Sequence, residues 1–113
     1  MTETEFLDLA DLTLKQIEDA FDRLNDEDVI DVECKRSGNV LEIEFIDNGS
    51  KIIVNSQAPL QEMWVAARSG GYHYKRVGDE WRNTRDDSEF FASLSKYAGE
   101  QGGGAGVAVV MFG

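Results

Sequence analysis

The sequence predicts an α+β fold, a two-layer sandwich with two helices packed on one face of an antiparallel β-sheet. Three observations carry the prediction. A pattern of helical period opens the chain, a meander of short alternating runs broken by turn residues fills the middle, and a second helical pattern follows. With 113 residues and a single cysteine, the chain is long enough for one core and has no intramolecular disulfide.

From about Thr4 to Leu24, Phe6, Leu9, Ala10, Thr13, Ile17, Ala20, Phe21 and Leu24 recur at spacings of three and four and form a stripe that faces the core. Nearly opposite, Asp11, Glu18 and Asp22 fall on one ridge with Lys15 among them, flanked by Asp8 and Asp19. Asn25, Asp26, Glu27 and Asp28 carry the charge into the connection. Val29 to Arg36 then alternates, with Ile30, Val32 and Cys34 inward and Asp31, Glu33 and Lys35 outward. After the Ser37-Gly38-Asn39 turn, Val40 to Ile46 turns Leu41, Ile43 and Phe45 inward and Glu42 and Glu44 outward. Asp47-Asn48-Gly49 is the strongest hairpin signal in the chain. Lys51 to Asn55 buries Ile52 and Val54, and Pro59 marks the next turn. Strands follow at Leu60 to Ala67 and, past Arg68-Ser69-Gly70-Gly71, at Tyr72 to Val77, with a short last strand around Trp81. The second helix is expected from Asp86 or Asp87, with Phe90, Phe91, Leu94, Tyr97 and Ala98 on its apolar face. Residues 1–101 form the domain. Residues 102–113 read as a Gly-rich spacer and an apolar C-terminal tail, expected to fold back between the helices.

Charge narrows the function. The net charge of −11 opposes binding to nucleic acid or anionic membranes, and no apolar run reaches membrane-spanning length. The acidic start has neither the basic and apolar segments of a secretory signal nor the arginines of a transit peptide, and a lone cysteine fits a reducing compartment, so a cytoplasmic protein is expected. Residues 1–47 hold fifteen acids and four bases, the whole of the excess. Such a face reads equally as a solvated surface and as a binding surface. Carboxylates without histidine or thiolate make a hard oxygen site, suited to iron, manganese, magnesium or calcium rather than to tight zinc or copper binding, and exposed ones bind weakly.

In the strand from Leu60, Met63, Val65 and Ala67 share one face, and Glu62, Trp64 and Ala66 share the other. A face carrying a glutamate is the wet one, so the Trp64 indole is expected in solvent. His73 falls on the same outer face, near Trp64, where a contact role fits better than metal ligation. Asn55 and Gln57, just upstream, are expected to act with them. Cys34 reads as a small core residue, and no serine, histidine and acid can be brought together for nucleophilic catalysis.

The segment NGSKIIVNSQAPLQEMWVAARSGGYHY, Asn48 to Tyr74, followed by GDEW at Gly78 to Trp81, resembles the signature of the frataxin family, of the bacterial CyaY type. The resemblance runs from Glu5 to about residue 100, and Arg23 and Asn25 interrupt the acidic run where relatives often carry carboxylates. It implies the frataxin-like sandwich and an iron-binding protein, for Fe(II) or Fe(III), that acts in iron–sulfur cluster assembly without being an enzyme. It further implies that the acidic helix–strand edge binds iron and docks on a basic patch of a cysteine desulfurase, while the tryptophan face turns toward the iron–sulfur scaffold protein. On this sequence the edge comprises Asp11, Glu18, Asp19, Asp22, Asp26, Glu27, Asp28, Asp31, Glu33 and Glu44, and the partner face Asn55, Gln57, Trp64 and His73. Two alternatives stand beside the monomeric iron-linked modulator. One is a ferroxidase or iron store that oligomerises around iron, and the other is an acidic adaptor with no metal.

Overall fold

The computed structural model describes residues 1–103. Helix α1 spans Glu3–Asp26, six strands follow as β1 Val32–Ser37, β2 Val40–Phe45, β3 Lys51–Gln57, β4 Glu62–Ala67, β5 Gly70–Val77 and β6 Glu80–Asn83, and helix α2 spans Phe90–Ala98. The strands form one antiparallel sheet in sequence order, β1 to β6. Helix α1 packs on β1, β2 and β3, and α2 packs on β6. The expected two-layer sandwich is the fold.

Helix α1 starts where its sequence offers a reciprocal cap. The Thr2 hydroxyl accepts the Glu5 N–H, and the Glu5 carboxylate accepts the Thr2 N–H. Those bonds hold the Glu5 carboxyl below its usual range, the backbone one foremost. The helix buries the expected stripe, with Leu9 half-buried and Leu14 added to it. At its far end, Val29 N–H bonds back to Leu24 and Asp28 takes a left-handed φ of 57°. The chain is therefore still leaving the helix at Val29, and β1 begins at Val32 rather than there. Asn25 holds the junction, its side-chain oxygen accepting the Val32 N–H at 3.3 Å.

Three further boundaries differ from expectation, each for a local reason. Pro59 sits in a 3-10 turn, Ala58–Leu60, and Gln61 follows at φ 52°, so β4 starts at Glu62 instead of Leu60. Ala66 pairs with Gly71 and Ala67 with Gly70, which shortens the expected four-residue turn to Arg68-Ser69. Asp86 and Asp87 belong to a turn: Asp86 accepts the Ser88 N–H and hydroxyl, and Asp87 takes φ 63°. Glu89 caps α2 instead, accepting the Phe91 and Ala92 N–H groups.

The core lies between the helices and the inward strand residues Leu41, Ile43, Phe45, Ile52, Val54, Met63, Val65, Tyr74 and Trp81. Polar contacts fix its register. The buried Trp81 indole donates to Thr13 at 3.1 Å, and Thr13 in turn donates to the Leu9 carbonyl at 2.7 Å. Phe6 meets the Trp81 ring edge-on at 5.9 Å. Tyr74 and Tyr97 hydroxyls lie 3.2 Å apart, joining β5 to α2. In the β2–β3 turn, Gly49 takes φ 71° as Asn48-Gly49 predicts.

The chain leaves α2 through a π-helical turn, Gly99–Gly103. Gln101 is buried there. Its side chain accepts the Arg68 N–H and donates to Ser50 and to the Lys51 carbonyl, and its own carbonyl accepts from Asn48. Gly102 lies against the Phe45 ring, where an added Cβ would come to 2.3 Å. The tail beyond residue 103 lies outside the described residues. Gly102→Ala should therefore overpack a closed contact and cost about 1–3 kcal/mol, measured as a lower denaturant midpoint at unchanged slope. An unchanged midpoint would mean that this turn does not close on Phe45.

Candidate functional site

Two surfaces gather the residues that the sequence singles out. The first wraps the edge made by α1 and β1. Glu18, Asp22 and Asp26 stand on α1 at four-residue spacing, with Asp22 and Asp26 exposed and Glu18 half-buried. Glu18 and Asp22 lie close enough to β1 for their charge to act on Cys34, whose half-buried thiol is pushed up to about 12 by desolvation first and by these two carboxylates next. Glu27, Asp28 and Asp31 carry exposed carboxylates through the connection. On the sheet, Glu33 pairs directly opposite Glu44, a like-charge pair that costs stability.

The structure also divides this set. Asp11 forms an ion pair with Arg36 of β1, and Asp19 pairs with Lys15 at 3.5 Å. Glu33 and Glu44 face away from the helices, so the ten carboxylates form a band around the edge rather than one cluster. Among the described residues no three His, Cys, Asp or Glu groups converge as a metal cage would require. The band offers a cation one or two carboxylates at a time and leaves the rest of its shell to water. Sequence reasoning missed Arg36, which lies 25 residues from Asp11 in the chain; the signal for it was a base on an edge strand beside an acidic helix.

The second surface is the outer face of the sheet. Val40, Asn55, Trp64 and His73 stand side by side in register across β2 to β5. Gln57 donates to the Asn55 side-chain oxygen at 2.6 Å. Parity places Trp64 outward as expected, but the indole is half-buried rather than in solvent. Its ring stacks on His73 at 4.2 Å with 6° between the planes, and its N–H donates to Glu62 Oε1 at 2.9 Å. Glu62, which shares that outer face, is 8% exposed. The two rings lie down over the carboxylate, so a residue facing outward is nonetheless buried. Glu62 is the member of this surface that sequence reasoning did not assign. Its spacing of two from Trp64, and the register that sets Trp64 against His73, were the available signals.

The Cys34 thiol gives a sign for pH. Its proton is held more tightly in the folded chain than at the ordinary value of 9.0, so its contribution to stability is whole below that pH and erodes as pH rises toward about 12. Tyr97, raised by desolvation first, acts in the same sense at still higher pH. Cys34→Ala should make the alkaline fall in Tm shallower from pH 9 upward. An identical slope would show that the thiol titrates freely.

Comparison with known proteins agrees with this geometry. A family model described as Frataxin-like domain matches residues 1–104. The chain is 65% identical to the "Iron-sulfur cluster assembly protein CyaY" of Janthinobacterium sp. (strain Marseille) over 103 residues, 91% of this chain and 92% of that one. It is 63% identical to the protein of the same name from Herminiimonas arsenicoxydans, with the same coverage. Among solved structures, frataxin from Psychromonas ingrahamii superposes with a TM-score of 0.78 at 34% identity, covering 89% of this chain and 91% of that one. Trimeric yeast frataxin complexed with ferrous iron shares the fold, with a TM-score of 0.66 at 24% identity over 77% of this chain and 79% of that one. With the sandwich, the acidic edge and the tryptophan face all in place, the chain belongs to the frataxin family, of the bacterial CyaY type.

Proposed function

We propose that this chain is a cytoplasmic, iron-responsive modulator of iron–sulfur cluster assembly that docks on the cysteine desulfurase through its acidic edge and presents Trp64 to the scaffold protein. The coarse role follows from the names of its close relatives. The observation that carries the finer reading is the placement of the charge: the acids of α1, the connection and β1–β2 stand around one edge and hold the whole net excess. Like charges so concentrated repel one another, and a bound cation or a basic partner surface relieves that repulsion. Iron is cargo or signal here rather than a resident cofactor, since exposed single carboxylates hold a hydrated ion weakly and release it readily. The absence of three convergent ligands among the described residues favours a second reading, an acidic adaptor that binds its basic partner without metal.

Binding to the desulfurase, measured by calorimetry, should weaken steeply with salt as exposed charges are screened. Reversing Glu18, Asp19 and Asp22 to lysine should abolish it while far-UV circular dichroism stays native; undiminished affinity would overturn the docking proposal. Titration with Fe(II) should broaden the amides of Glu18, Asp19, Asp22, Asp26, Asp31 and Glu33 first, and broadening centred on His73 or Cys34 would instead move the iron elsewhere. Desulfurase affinity that is the same with and without iron would favour the metal-free adaptor.

The scaffold contact has its own test. Trp64→Ala should cost on the order of 2 kcal/mol of affinity for the desulfurase–scaffold complex, with milder losses for Asn55→Ala and Gln57→Ala. A collapse of stability in Trp64→Ala comparable to a core deletion would make the indole a structural residue instead.

A further inference from the structure

A docking surface needs an exposed aromatic side chain, but it does not need a carboxylate buried beneath one. Glu62 is 8% exposed on a sheet face that neither helix covers. Its Oε1 accepts the Trp64 indole N–H at 2.9 Å and lies 3.7 Å from Nδ1 of His73. Its Oε2 lies 3.8 Å from the Lys75 ammonium. The imidazole thus acts in two directions, its flat side against the indole and its Nδ1 edge toward the carboxylate.

Imidazole is the side chain whose charge changes in the neutral range, between about pH 5 and 8. A proton gained at this position would put a positive charge beside the Glu62 carboxylate and a cation over the face of an indole, both of them attractive. The surrounding charges can be named strand by strand. On β4 the carboxylate of Glu62 favours the proton. On β5 Lys75, two residues along, opposes it, and so does Arg82 of β6, which pairs opposite Lys75 and is itself offset by Glu80 of the same strand at 2.8 Å. The outward residues of β3 nearest the pair, Asn55 and Gln57, are uncharged. Glu62 is the nearest of these groups, and Lys75 engages its other oxygen.

We propose that His73 is a proton-sensitive positioning residue for Trp64. Protonated, it clamps the indole between its own ring and the Glu62 carboxylate; neutral, it leaves the stack without the charge-assisted contact, and the indole is held less firmly. For its consequence in docking, this rests on the reading of Trp64 as a contact residue: mild acidification would then set the contact point and mild alkalinity would loosen it.

The test follows the two indole N–H resonances of the full chain by ¹⁵N-correlated NMR across roughly pH 5–8. The Trp64 resonance should show a one-proton transition, while that of Trp81, bonded to Thr13 in the core, stays still. His73→Phe keeps a ring on the indole but cannot take the proton, so the transition should vanish with the Trp81 signal at its native position. Glu62→Gln, which removes the favouring charge, should move the transition to lower pH. A Trp64 resonance that does not titrate, or one that titrates identically in His73→Phe, would overturn the proposal, as would an unmoved midpoint in Glu62→Gln. The docking reading is judged separately, by the affinity of Trp64→Ala at fixed pH. If the resonance titrates as expected while that variant binds normally, the proton-sensitive clamp stands and the docking role of Trp64 falls.

Discussion

Both helices pack on one face of the six-stranded sheet and leave the other to water, and the surface chemistry of this molecule follows from that division. The covered face takes the regular apolar positions of every strand and locks α1 to β6 through the Thr13–Trp81 bond. The other face must live in water, so it carries Glu33, Glu42, Glu44, Lys51, Lys75 and Arg82 around a small aromatic and amide centre. A large indole on such a face would ordinarily leave apolar area in water. Here it lies flat, stacked on an imidazole and bonded to a carboxylate, and the same arrangement buries the carboxylate with its needs met.

The acidic edge follows from the same geometry. Helix α1 runs along β1, so the ridge opposite its apolar stripe comes to the rim of the sandwich and meets the carboxylates of the connection and of the outer sheet face. Asp11 and Asp19 take ion-pair partners and Glu18 and Glu44 are half-buried, while Asp22, Asp26, Glu27, Asp28, Asp31 and Glu33 stand exposed to water. Beside them, burial first and the neighbouring carboxylates next raise the Cys34 thiol well above its usual range, so this edge presents carboxylate oxygens and a thiol that keeps its proton at neutral pH.

Much of this was legible in the sequence, and the reasons for what was not are specific. Strand parity assigned the faces of Ile43, Val54, Met63 and Trp64 correctly, because alternation is strict and a one-residue slip would expose the core. Helical period found the ridge for the same kind of reason. The ends of elements were harder. At Val29, Leu60, Tyr72 and Asp87 the boundary depends on one backbone conformation or one turn bond, and residue type only biases these. Exposure was hardest of all. Parity says which way Trp64 points, but what lies across it depends on His73 from another strand and Glu62 beneath both. The Asp11–Arg36 pair was hidden similarly, since a contact across 25 residues leaves no trace in local pattern.

The charge separation has a consequence for the molecule in motion. Residues 1–47, on α1, the connection and the first strands, hold the whole net charge of −11, while the charges on the rest of the chain cancel, with Lys75 beside Glu62 and Arg82 paired to Glu80. The protein is therefore an electric dipole as well as an anion. In the field of a basic surface it feels a torque before it feels a contact, and it turns its acidic rim forward while still separated by water. The search over orientations that slows most protein encounters is thereby shortened, whatever the strength of the final complex.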